Sequence, residues 1–124
     1  MRTLKTKFRD DKLAAMPTAI IGADTTFGSD KLRTLLMVVL RNATTDSPWP
    51  LSKNPQAKYN LAGATGRNSE LKLWQLVRTS TTAPTYFPPE VIHGGEREFA
   101  FVDGGITMYS NPAFQLFLMA TSEP

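Results

Sequence analysis

The sequence predicts an α/β domain built on a mostly parallel sheet, and three observations carry that prediction. The apolar run Phe99-Ala100-Phe101-Val102 reads as a buried strand closed by Asp103-Gly104-Gly105. That puts a carboxylate at the carboxyl end of a strand, where open α/β sheets keep their chemistry. A second run, Leu35-Leu36-Met37-Val38-Val39-Leu40, is short and contains two β-branched residues, the pattern of a buried parallel strand, although periodicity alone leaves a buried helix over residues 30–41 open. Between the two runs, Ser69-Glu70 supplies a cap and a first-turn acid for a helix that Pro84 must end.

The remaining elements follow in order. Leu4, Phe8, Leu13 and Met16 fall near helical spacing among charges, which predicts a short surface helix over residues 5–16 stopped by Pro17. Residues 18–23 read as a short strand, and Phe27-Gly28-Ser29-Asp30 as a turn. From residue 41 to residue 69 the pattern dissolves into Asn, Thr and Ser punctuated by Pro48, Pro50, Pro55 and Gly63. This predicts a long loop, longer than the ~12–15 residues usual for a structureless connection, in which Trp49 and Tyr59 anchor the loop to its own domain. In the following helix Leu73, Leu76, Val77 and Ser80 share one face, with Trp74 and Leu71 beside it. The prolines of residues 83–89 predict an extended segment, and His93-Gly94-Gly95-Glu96 a turn into the Phe99 strand. Asn111-Pro112 starts a last helix, with Asn as cap and Pro at the first helical position. That helix is apolar except for Gln115, so it should be buried on most sides. Its position close to Pro124, with little chain left to cover it, suggests a piece of a larger domain.

Composition excludes several function classes. The 124 residues, 41% of them hydrophobic, suffice for one globular domain. The longest apolar run is far short of the roughly 20 residues that a membrane-spanning helix needs, and the N-terminus lacks the pattern of a secretory signal. The expected setting is therefore the cytoplasm, or the interior of a longer polypeptide. There is no cysteine and a single His93, which argues against disulfides, thiolate or histidine metal sites and a Ser-His-Asp triad. The net charge of +3 comes from singly scattered bases without a basic block, so nucleic acid is not an expected partner.

Asp103 is the main candidate for chemistry. By itself an acid before Gly-Gly is the usual content of a turn, and general-base catalysis needs a reacting partner within reach that the adjacent residues do not supply. The wider sequence changes the balance. The run Leu73-Trp74-Gln75-Leu76-Val77-Arg78-Thr79-Ser80-Thr81-Thr82-Ala83-Pro84-Thr85-Tyr86-Phe87-Pro88-Pro89 is followed by Phe101-Val102-Asp103-Gly104-Gly105 and then Asn111-Pro112. This series closely resembles the second half of the patatin-like phospholipase domain, and residues 34–54 resemble the strand and loop that precede it. The resemblance covers about residues 30–121.

The resemblance implies a three-layer α/β/α fold, mostly parallel and here incomplete at both ends, spanning residues 1–124 with the loop at 41–69. It also implies a serine acyl hydrolase of lipid esters that works by a Ser-Asp dyad. Asp103 matches the dyad acid, supported by the turn at Gly104 and Gly105; no histidine, metal or cofactor is required. A lipid acyl ester is the implied substrate, with room for peripheral contact with a membrane or micelle. The departures matter as much. A Gly-x-Ser-x-Gly elbow and a Gly-rich oxyanion loop are both missing, and none of the chain's serines sits in such an elbow. The chain is expected to supply the acid but not the nucleophile, and to be inactive alone. The competing expectation is a non-catalytic α/β interaction module or truncated remnant that associates through its apolar C-terminal helix.

Overall fold

A computed structural model describes residues 11–61, 66–94 and 96–121. The elements run α1 (Asp11–Ile21), β1 (Met37–Asn42), β2 (Ser47–Ser52), α2 (Leu73–Ser80), β3 (Glu90–Gly94), β4 (Arg97–Asp103) and α3 (Ala113–Thr121), with short 3₁₀ turns at Lys58–Asn60, Asn68–Glu70 and Gly104–Ile106.

The four strands form one sheet in the order β2-β1-β4-β3, and every neighbouring pair is antiparallel. This overturns the expected mostly parallel, three-layer α/β/α architecture. The reason lies in the connections. Parallel neighbours need a crossover of a dozen or more residues, whereas β1 and β2 are joined by the four-residue turn Ala43-Thr44-Thr45-Asp46. That turn is built by Asn42, whose Oδ1 accepts the Thr44 and Thr45 amides at 2.9 and 3.1 Å, and by Asp46, which takes the left-handed φ of 54°. β3 likewise ends at Gly94 and β4 begins at Arg97, which pair with each other.

The expected loop at 41–69 therefore contains a strand. Pro48 and Pro50 hide it in the sequence, yet both are tolerated because β2 is an edge strand and proline can turn its missing donor outward. Trp49 anchors this strand to the domain as expected, its ring lying 5.0 Å from Phe101 and 5.7 Å from Phe99. Tyr59 stays exposed in the first 3₁₀ turn.

Near the N-terminus the expected strand at 18–23 is the second half of α1, which runs through Pro17. Proline removes one helical hydrogen bond, but Thr18 Oγ1 donates to the Ala14 carbonyl at 2.7 Å and Gly22, at φ +94°, closes the helix by donating to Thr18. The first part of the predicted helix at 5–16, with Phe8, lies outside the described residues. α2 starts at Leu73, later than Ser69, which sits in a 3₁₀ turn. The Pro84 segment is turned where extension was expected: Thr85 has φ 72°, and the Tyr86 and Phe87 amides both donate to the Ala83 carbonyl. His93 is a strand residue of β3, opposite Glu98.

The core lies on one face of the sheet. Val38 and Leu40 of β1, Leu51 of β2, Ile92 of β3 and Phe101 of β4 pack with Leu73 and Leu76 of α2 and with Phe27. Phe27 is carried into this core by a short ladder in which its amide donates to Leu71 and the Leu73 amide donates to Thr25. On the opposite face, Val39 meets Gly104, and Arg41 and Pro48 lie beside residues 106–108, while Val91 is exposed. Ser52 there donates to the Met119 sulfur of α3. α3 forms where expected, with Asn111 Oδ1 accepting the Ala113 amide at 3.2 Å. It is not buried, however: Phe114 is 64% and Phe117 60% exposed.

Candidate functional site

β4, an interior strand, carries Asp103 at its C-terminal end beside Leu40, its partner on β1. At this point the strand stops, because Gly104 lies against the β1 backbone so closely that any Cβ would overlap the Val39 carbonyl. Only glycine allows that approach. The chain then turns through Gly104–Ile106, and the turn is fastened by its own backbone and by Thr107. The Gly105 amide donates to Asp103 Oδ1 at 2.8 Å, and the Thr107 amide and hydroxyl both donate to the Gly104 carbonyl, at 2.9 and 2.6 Å. Asp103 thus caps the turn, as an acid before Gly-Gly commonly does. Its other oxygen accepts no hydrogen bond among the described residues, and the residue is half-buried.

The backbone of Asp103 is held from a second side. Its amide donates to the Thr82 carbonyl at 3.3 Å, just past the end of α2. The last turn of α2 is closed by threonines: Thr79 Oγ1 donates to Gln75, and Thr81 Oγ1 and Thr82 Oγ1 both donate to the Arg78 carbonyl, at 2.8 and 2.6 Å. Behind them a buried ion pair joins α2 to β3. Arg78 Nη1 lies 2.5 Å from Glu90 Oε2, and Gln75 Nε2 donates to Glu90 Oε1 at 2.9 Å.

An open cavity of about 310 Å³ lies between α2, the start of β1 and the turn after β4, and Asp103 forms part of its wall. Val38, Val39 and Val77 supply apolar surface, and Ser80, Thr81, Tyr109 and Ser110 supply hydroxyl groups. A carboxylate with one oxygen fixed and one free, among hydroxyls and an apolar wall, can accept a proton from a hydroxyl and can seat an uncharged, partly apolar ligand.

Of the site residues expected from sequence, Asp103, Gly104 and Gly105 come together as one turn. Ser80 and Ser110 join Asp103 in the cavity wall, which sequence spacing did not indicate. Ser29, Ser52 and Ser69 lie elsewhere. His93 stands toward the far end of β3, its Nδ1 3.3 Å from Glu98. The Arg78–Glu90 pair is also unforeseen, since Arg78 reads in sequence as one scattered base among many. The described residues hold no cluster of His, Asp or Glu suited to a metal ion, and no helix long and apolar enough to cross a membrane. No model of a known protein family and no curated protein matches the chain.

Proposed function

We propose that Asp103 is the acid of a Ser-Asp dyad in a patatin-like serine acyl hydrolase acting on lipid acyl esters, and that this chain supplies the acid without the nucleophile. The observation that supports the reading is that Asp103, with one oxygen accepting no hydrogen bond among the described residues, lines a cavity whose surface is part hydroxyl and part apolar. Gly105 orients the carboxylate, and the open oxygen is available to a serine hydroxyl from an elbow that this chain does not contain. In that arrangement the carboxylate takes the hydroxyl proton as the serine oxygen bonds to the ester carbonyl carbon. Collapse of the tetrahedral intermediate breaks the bond to the alkoxide, which leaves with the proton from Asp103. Water then attacks the acyl-serine by the same route. Ile106, Met108, Phe114 and Phe117, exposed on the segment that follows Asp103, fit a substrate presented by a membrane or micelle.

The test is a chimera. Residues 30–121 replace the matching segment of an active patatin-like hydrolase, and hydrolysis of a short-chain nitrophenyl ester is measured for the chimera and for the isolated chain. The expected result is turnover by the chimera, a fall of about 100- to 10,000-fold on Asp103→Ala, and no turnover by the chain alone. A folded chimera whose activity ignores Asp103→Ala would overturn the role of Asp103. Turnover by the chain alone that disappears with Asp103→Ala would overturn its catalytic incompleteness.

The exposed face of α3 favours a second reading, a non-catalytic module that associates with another polypeptide through this helix. Sedimentation discriminates: a single defined oligomer supports the module, and polydisperse association opposes it.

A further inference from the structure

We propose that the Arg78–Glu90 ion pair is a positioning device for Asp103; the functional meaning of this rests on reading Asp103 as the dyad acid. The two side chains are only 9% and 11% exposed. Burying such a pair seldom adds stability over well-packed apolar residues of similar volume, so its contribution is to be sought in direction and register.

The direction is visible in the way the links close on themselves. Glu90 pairs with Phe101 across β3 and β4, two residues before Asp103. The Glu90 carboxylate holds the Arg78 side chain, while the Arg78 carbonyl receives the Thr81 amide and the hydroxyls of Thr81 and Thr82. Thr82 in turn gives its carbonyl to the Asp103 amide. The circuit Asp103, Thr82, Arg78, Glu90, Phe101 and back along β4 to Asp103 contains one covalent segment of strand, one strand pairing, one helix end, one ion pair and one backbone hydrogen bond. Gln75 fixes the second Glu90 oxygen, so the carboxylate cannot rotate away from the guanidinium. Arg78 and Thr82 each act in the circuit through both side chain and carbonyl, and of the two only Arg78 is tied to β3. Shifting the guanidinium shifts the end of α2, and with it the carbonyl on which the backbone of Asp103 rests.

The device is tested in the chain as it stands, by amide hydrogen exchange and the Gly105 amide proton shift. The double variant Arg78→Met with Glu90→Leu keeps volume and removes both charges of the pair together, so the fold is expected to survive. Exchange at Asp103 should then quicken about tenfold or more relative to the Lys53 amide, which bonds Leu36 outside the circuit. The Gly105 proton should move upfield as its bond to Asp103 Oδ1 loosens. Equal acceleration at Asp103 and Lys53, the mark of a merely stabilising pair, would overturn the proposal. Should the double variant not fold, Thr82→Val removes only the hydroxyl that caps Arg78. A selective, smaller acceleration at Asp103 supports the device, and none overturns it. Because neither readout is turnover, an inactive chimera leaves this inference standing, and failed positioning leaves the acyl-hydrolase reading standing.

Discussion

The two faces of the sheet are packed to very different degrees. On one, residues from four strands meet α2 and Phe27, and Phe27, Leu40, Leu76 and Phe101 are almost wholly removed from water. On the other, the uncharged stretch of residues 104–121 crosses the strands but leaves Met108 84% exposed and much of α3 in solvent. The difference teaches where the domain's own stability resides. The α2 face supports the fold, and the candidate site lies at the rim where that face meets the less covered one. Asp103 is held by α2 through Thr82 and by the turn that leads to α3, so it belongs to both.

The comparison breaks most directly at Phe101, which packs beside Trp49 and is 2% exposed. Phe101→Ala should cost about 3–5 kcal/mol, the range for truncating a buried aromatic, as a shift in the midpoint of urea unfolding. A cost below about 1 kcal/mol would mean that the α2 face is not the one that carries the fold.

A smaller effect is expected where the faces meet. Gly104→Ala puts a methyl group against the Val39 backbone, and because neither partner is a flexible side-chain end the two strands must part locally. Overpacking of this sort costs about 1–3 kcal/mol. In the chimera it should also lower turnover, since the turn that orients Asp103 begins at this residue. Unchanged stability together with unchanged turnover would show that the close approach is dispensable.

The elements also differ in how legible they are in the sequence. β4 and Asp103 are visible because an apolar run ending in Asp-Gly-Gly is local information, and the Asn111 cap of α3 is local as well. Strand direction is not: the Val38-Val39 run looks the same in parallel and antiparallel sheets, and only the connection decides. That connection leads into β2, which Pro48 and Pro50 disguise as loop. Pro17 misleads in the opposite sense, marking an end where α1 continues, because Thr18 and Gly22 satisfy carbonyls further along. The cavity wall and the Arg78–Glu90 pair bring together residues far apart in the chain, and no spacing rule foretells such contacts.

The smallest effect is expected on α3. Phe117 is as large and apolar as Phe101, yet it is 60% exposed, so Phe117→Ala removes little surface that folding had hidden from water. Surface substitutions of this kind usually stay within about 0.5 kcal/mol, and alanine's higher helix propensity offsets part of what is lost. The unfolding midpoint should therefore barely move while self-association falls, because an exposed aromatic on an uncharged surface is a site of contact between molecules. The same Phe→Ala change is thus expected to act on folding at residue 101 and on association at residue 117. If Phe117→Ala instead cost as much as Phe101→Ala, α3 would be a buried member of the fold in solution and the contrast between the two faces would disappear.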